Sequence, residues 1–298
     1  MKDDYGFLKH TDFFSNKEII KNVEKISKNK LKVTTTDENY YVVSLYDMND
    51  HENISNEKFI QDRLDKIGLD PLLIYEEGIL PDINKSYKIF EYRKEISLEE
   101  FLDKASCESS FRIGESFGKI LKNIHQTKIT EPVDWEKKFL TKANYLFYIH
   151  GLSENIGDSD YILIDYIEAN IHLTKNTPIN LIYGNINEKN IRVYDENKLD
   201  LRAIKEIVYG DGVFDFVDIN KLAIKYPDFA RGILEGYFDY NKPTRKFYRL
   251  LSLYQAYILL YNKVLKDQEK DHNLEENEID AIMQMYDNFN QLIPSWAQ

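Results

Sequence analysis

The hydrophobic period of this 298-residue chain changes near residue 92, and that change limits what it can fold into. Before it, strand-like runs dominate. Residues 31–35 and 40–46 read as strands and flank the polar turn Thr36-Asp37-Glu38-Asn39, which predicts a β-hairpin. Residues 72–76 and 87–92 read as two more strands. Two helices are expected among them. One covers 16–26, with Ile19, Ile20, Val23 and Ile26 on one face; the other covers 56–67 and ends at Gly68.

From Ser97 onward the apolar residues recur at three and four. Ser97-Leu98-Glu99-Glu100 is a capped helix start. Residues 111–127 form an amphipathic helix through Ile113, Phe117, Ile120, Leu121 and Ile124. Further helices are expected over 135–148, 161–173, 214–224, 228–237, 244–266 and 277–292, with a strand–loop–strand over 181–201. The expected fold class is α+β: a small β-rich lobe over 1–92 and a larger helical lobe over 93–298, hinged near Glu91-Tyr92-Arg93.

Composition narrows the setting. With 43% hydrophobic and 30% charged residues the chain buries enough apolar surface to fold. No run of 18 apolar residues suits a membrane span. The acidic start Met1-Lys2-Asp3-Asp4 leads into no apolar stretch, so no signal peptide is expected. The single cysteine, Cys107, excludes an internal disulfide, and a cytoplasmic location is expected. A net charge of −12 repels nucleic-acid phosphates and anionic lipid and attracts cations. Neither nucleic acid nor membrane is expected as a partner. The 22 tyrosines accompany abundant Lys, Asn and Ile and read as the bias of an AT-rich genome.

Three segments carry more. Leu181-Ile182-Tyr183-Gly184-Asn185-Ile186-Asn187-Glu188-Lys189-Asn190-Ile191-Arg192-Val193 resembles the His-Gly-Asp-x-x-x-x-Asn loop of the aminoglycoside phosphotransferase and choline kinase family. Gly210-Asp211-Gly212-Val213-Phe214-Asp215-Phe216 resembles its Gly-Asp-Pro-x-x-Asp-Leu segment. Phe117-Gly118-Lys119-Ile120-Leu121-Lys122-Asn123-Ile124-His125 resembles its Gly-x-x-Leu-x-x-x-His helix. Pro227-Asp228-Phe229, leading to Leu234-Glu235-Gly236-Tyr237, is similar to the family as well. The order and spacing match over most of the chain, so the resemblance implies a two-lobed protein-kinase-like fold.

The resemblance also implies a set of working residues, which this chain departs from. Phosphoryl transfer depends on positioning and on neutralising charge. The family's glycine-rich phosphate loop falls on Ile26-Ser27-Lys28-Asn29-Lys30, where no glycine stands. Its third-strand lysine falls on Ser44, and residues 33–57 hold no Lys or Arg at all. The glutamate that would pair with that lysine falls on Glu57. The loop aspartate that orients or deprotonates the acceptor hydroxyl falls on Asn185, an amide that cannot take up a proton at neutral pH. Asn190 keeps the magnesium-binding asparagine position. The second metal ligand falls on Ala203 without gaps, or on Glu206 with a shift. Nucleotide contacts at the hinge fall on Glu91 and Tyr92, beside Ser44.

Each position has a plainer reading. Asn190 could simply cap loop backbone. Asp215 resembles the family's structural aspartate, which braces the loop through backbone hydrogen bonds and needs no catalysis to be retained. Asp211 is either a substrate-side carboxylate or a turn former before Gly212. His125 and His150 read as packing or surface residues, and no metal cluster stands out among six scattered histidines. The Tyr254, Tyr257, Tyr261 stripe has helical spacing and reads as core rather than an aromatic cage for a cation. The acidic run Glu275-Glu276, Glu278 and Asp280 reads as a solvated helix face.

The functional expectation is a degenerate small-molecule kinase, a pseudokinase acting by binding a ligand or a protein partner. The alternative is an active transferase that moves a phosphoryl group from ATP or GTP, with Mg2+ on Asn190 and Glu206, to a hydroxyl of a small cationic molecule such as an aminoglycoside or a choline-like amine. In the first reading a cofactor need not be used at all.

Overall fold

Alternating apolar residues on neighbouring strands give the N-terminal part of the chain its core. In the computed structural model, which describes residues 5–48, 72–127, 133–153, 156–184, 186–189, 191–195, 198–201, 208–268, 270 and 273–298, the chain divides into two units, Met1–Glu95 and Ile96–Gln298. The first holds a five-stranded antiparallel sheet in the order β1-β2-β3-β5-β4. Its strands are β1 (Ile20–Ser27), β2 (Lys30–Thr35), β3 (Tyr40–Asp47), β4 (Ile74–Leu80) and β5 (Lys85–Glu91). Leu31, Val33, Tyr41, Val43, Tyr87 and Ile89 face one side. There they bury against Leu8, Phe13 and Phe14 from a 3-10 turn (Gly6–His10) and a π-helical turn (Phe13–Lys17). Each such side chain contributes about 1.5–3 kcal/mol of burial. Glu76 on β4 fastens the N-terminal segment to the sheet: its carboxylate accepts the Asp12 and Phe13 amides at 3.1 and 2.5 Å, and also the Tyr87 hydroxyl.

The hairpin expected over 31–46 is present as β2 and β3. The helix expected over 16–26 is not: β1 runs through it, paired to β2 from Ile20↔Thr35 to Ser27↔Lys30. Register shifts occur at Ile20/Asn22 and Lys25/Ser27, and the first explains part of the misreading. The extra residue at the first shift puts Ile20 and Val23, three apart, on one face of the strand, while Ile19 and Ile26 are exposed. The strands expected at 72–76 and 87–92 exist with shifted bounds, β4 continuing to Leu80 and β5 starting at Lys85. The helix expected over 56–67 lies outside the described residues.

The second unit is mostly helical. Its helices are α1 (Leu98–Leu102), α2 (Cys107–His125), α3 (Trp135–His150), α4 (Asp158–Asn170), α5 (Phe216–Lys225), α6 (Pro227–Phe238), α7 (Arg245–Asp267) and α8 (Glu276–Met285). Side-chain caps set four of the starts, as the sequence predicts at Ser97, whose hydroxyl accepts the Glu100 amide at 3.0 Å. Ser106, Asp134 and Thr244 do the same for α2, α3 and α7. Helix α8 is shorter than expected. Left-handed backbone at Asp287, Asn288 and Phe289 ends it, and no periodicity in the side chains announces that turn. Small strands complete the unit: β6 (Ile96–Ser97), β8 (Ile191–Tyr194) and β9 (Lys198–Leu201) form one sheet, and β7 (Asn180–Ile182) pairs with β10 (Val208–Gly210).

Helices α2 and α6 meet backbone to backbone. A Cβ on Gly114 or Gly118 of α2 would stand 2.2 Å from the carbonyl oxygens of Phe229 and Ile233. A Cβ on Gly232 or Gly236 of α6 would stand 2.1 Å from those of Phe111 and Glu115. Four glycines, spaced four apart on each helix, therefore make this crossing possible. It draws the end of α2, with His125, against Tyr237 at the end of α6.

Candidate functional site

The loop after β7 begins Tyr183-Gly184, and its backbone is held from below by two aspartates one helical turn apart. Asp215, 1% exposed, accepts the Tyr183 amide at 2.7 Å on Oδ2 and the Gly184 amide at 2.8 Å on Oδ1. Asp218 Oδ2 accepts the Ile186 amide at 2.9 Å. Anchors thus lie on both sides of position 185. Gly184 has φ +79, a conformation that costs glycine little and other residues more.

His125 joins the brace. It is buried, with Nε2 2.9 Å from Asp215 Oδ2 and Nδ1 2.8 Å from the Tyr237 hydroxyl. A neutral ring protonated on Nε2 donates to the carboxylate and accepts from Tyr237. His125 is therefore neither simple packing nor surface, as the sequence suggested, but a hydrogen-bonded part of the loop support. Asn180 adds to it, its amide donating to the His125 carbonyl at 2.7 Å and its oxygen accepting the Gly212 amide at 3.2 Å. His150 is also buried and bonded, to Asp160 at 3.1 Å, which Lys263 approaches at 3.1 Å.

Burial pushes Asp218 up to about 7; the neighbouring Asp215 adds to the shift, and the Ile186 amide opposes it. Burial also raises Asp211 above the usual carboxylate range. Of the two readings of Asp211, the turn former is the one realised: its oxygens accept the Val213 amide at 3.0 Å and the Tyr254 hydroxyl at 2.8 Å. Tyr254 in turn accepts from Trp135 Nε1 at 2.9 Å. Tyr254 and Tyr257 are core residues, as their helical spacing predicts, whereas Tyr261 of the same stripe is exposed.

Of the residues singled out for chemistry, Asn185, Asn190, Glu206, Ala203 and Glu57 lie outside the described residues. Among the described residues no group of three His, Cys, Asp or Glu side chains could hold a metal ion. Ser44 lies in the first unit, in the middle of β3, 4% exposed, on the face turned away from the Leu31–Val43–Ile89 core. The stretch 26–30 forms the tight turn between β1 and β2. Glu91 ends β5, where its carboxylate pairs with Arg93. The Tyr92 amide donates to the Tyr40 carbonyl at 3.3 Å. The rings of Tyr40 and Tyr92 stand 5.7 Å apart, with Lys32 Nζ 4.8 and 4.4 Å from their centroids. Motif reading missed Asp218 and this lysine. The three-residue step from Asp215 was the available signal for the first; cross-strand register, invisible in sequence, was needed for the second.

No protein-family model matches the chain, and no curated protein matches it by sequence. Solved structures do match. A thermostable mutant of aminoglycoside phosphotransferase APH(4)-Ia, in ternary complex with ADP and hygromycin B, superposes with a TM-score of 0.61 at 11% identity, covering 94% of this chain and 97% of that one. ADP-bound aminoglycoside phosphotransferase APH(2'')-Ib gives 0.53 at 16% identity, with 94% and 97% covered. Choline kinase LicA from Streptococcus pneumoniae gives 0.50 at 15%, with 96% and 98% covered. At such identities the likeness establishes the fold. The chain has the kinase-like fold of these proteins, an antiparallel-sheet unit followed by a mostly helical one, as the order of its motifs implied.

Proposed function

We propose that the chain is a kinase-fold protein that keeps nucleotide binding and has lost efficient phosphoryl transfer, a pseudokinase that works by holding a ligand or a protein partner. One observation supports this reading: the backbone of the loop after β7 is held by Asp215, His125 and Asp218, while the resemblance puts neutral side chains, Ser44 and Asn185, at the positions where transfer needs charge. Retained scaffolding with altered chemistry fits a binding protein better than an enzyme. Loss of a positioned acid–base group costs about 10²–10⁴ in rate, and loss of a neutralising charge adds to that. The ligand this reading puts first is ATP or GTP. Any magnesium would fall to Asn190 and Glu206. The reading places the protein in the cytoplasm, where its exposed thiol, Cys107, stays reduced, and assigns it neither nucleic acid nor membrane as partner.

A second reading, an active phosphotransferase on a hydroxyl of a small cationic molecule, is favoured by two facts. A solved neighbour holds hygromycin B beside ADP, and the net charge of −12 attracts cations.

Turnover separates the two. The purified protein is incubated with Mg-ATP or Mg-GTP and with aminoglycosides or choline. The first reading predicts no phosphorylated product, and predicts that Ser44→Lys with Asn185→Asp and Ala203→Asp creates nucleotide hydrolysis. Product formation by the unmodified protein contradicts it and establishes the second reading.

A further inference from the structure

Within the second unit, the start of α7 and the C-terminal segment line an open cleft of about 560 Å³. Clefts of roughly 300–1,000 Å³ suit small molecules. Pro243, Leu292 and Ile293 give this one apolar walls, and Arg245, Tyr248 and Gln291 bring polar groups to it. None of these residues hydrogen-bonds to Asp215, Asp218 or His125, so the cleft is not part of the brace beneath the loop.

Tyr248 is 7% exposed, and a tyrosine buried that far ordinarily bonds its hydroxyl. Here the hydroxyl bonds to no described residue and is not sealed from solvent, so it is left for whatever the cleft holds. Burial, with Glu235 adding to it, raises this phenol above the ordinary tyrosine range, and it stays a donor at neutral pH. The exposed Arg245 guanidinium likewise pairs with no described residue. Gln298 Nε2 donates to Gln291 Oε1 at 2.9 Å and to the Ile293 carbonyl at 3.1 Å. That fixes one wall and leaves the Gln291 amide nitrogen without a bond to a described residue.

Charge indicates the sign of the occupant. Helix α7 has no acidic residue in its first turn. Arg245 and Lys246 stand there instead, the reverse of what the helix dipole favours. Residues 240–266 hold no Asp or Glu at all, in a chain whose net charge is −12. A guanidinium, an unused hydroxyl donor and the positive end of a helix therefore border one opening.

We propose that this cleft is a second binding site, for a small organic carboxylate. Arg245 takes the carboxylate on its planar fork, Tyr248 donates to it, and Pro243, Leu292 and Ile293 hold a short hydrocarbon or aromatic body. A guanidinium matches a carboxylate bidentately, and one guanidinium balances one negative charge, which favours a carboxylate over a phosphate dianion. The inference stands apart from the nucleotide reading above.

Calorimetric titration of the full chain with hexanoate and phenylpropionate, with the uncharged amide of each, and with phenyl phosphate tests this. At least one carboxylate is expected to bind, and its amide to bind at least about tenfold more weakly. Arg245→Met is expected to weaken the carboxylate about 10- to 100-fold, the loss of one charge-assisted contact. Tyr248→Phe is expected to weaken it about 3- to 10-fold. Arg245 is exposed and unpaired among the described residues, so Arg245→Met should melt like the parent. No binding of either carboxylate at about 10 mM, or binding that Arg245→Met leaves unchanged, overturns the inference. Phenyl phosphate binding more tightly than both carboxylates overturns the choice of carboxylate. Any of these failures leaves the nucleotide reading standing, since that reading uses none of these residues.

Discussion

Asp215 and Asp218 do different work from adjacent turns. Asp215 takes three donors and is the anchor the motif implied. Asp218 takes one, and burial raises its carboxyl above the usual range. Its folded-state value, about 7, lies above its ordinary 3.8. The folded protein therefore holds this proton more tightly, and Asp218's contribution to stability declines as pH rises from about 4 to about 7. Asp218→Asn keeps an acceptor for the Ile186 amide and cannot ionise. Its melting temperature relative to the parent should rise across that window and level off above it; a difference independent of pH would show that Asp218 does not titrate there. At this scale the sequence was legible where a motif fixed both identity and spacing, as for Asp215 and Gly184. It was mute on Lys32, whose neighbours Tyr40 and Tyr92 come from another strand and from the segment after β5.

Among the elements, the α2–α6 crossing is the one with least tolerance. Its contacts are with backbone oxygens, which cannot swing aside as a side chain can. Alanine at Gly118 or Gly232 improves helix propensity by about 1 kcal/mol, yet it forces the helices apart and forfeits packing along their length. The balance is set by the clash, so each variant should lose about 1–3 kcal/mol in denaturant unfolding. Equal or greater stability would mean the helices can separate without cost. Because Tyr237 reaches His125 across this crossing, the same variants should loosen the loop's support, read as faster amide exchange at Tyr183 and Gly184. Most helices were readable because their apolar stripes and caps are local. Strand β1 was not, since bulges gave it a helix-like spacing, and the end of α8 was not, since backbone conformation rather than side-chain pattern sets it.

Across the whole molecule, the fold was legible from the order of weak motifs, although the solved neighbours share only 11–16% of its residues. Fold persists at such identities because buried volume and hydrogen-bond satisfaction constrain it, whereas chemistry hangs on a few positions. Ser44 lies in the middle of β3, and the amides of Tyr183, Gly184 and Ile186 are held by Asp215 and Asp218. Of the candidate site, the support of the loop after β7 by Asp215 was readable, while Asn185, Asn190 and Glu206 lie outside the described residues. The proposed function requires that nucleotide is bound and not consumed. Titration calorimetry with ATP and GTP, with and without magnesium, measures the first half, and nucleotide remaining after prolonged incubation of the same sample measures the second. Micromolar binding with the nucleotide recovered intact is the predicted result. No binding at millimolar nucleotide, or its steady consumption, would contradict the account.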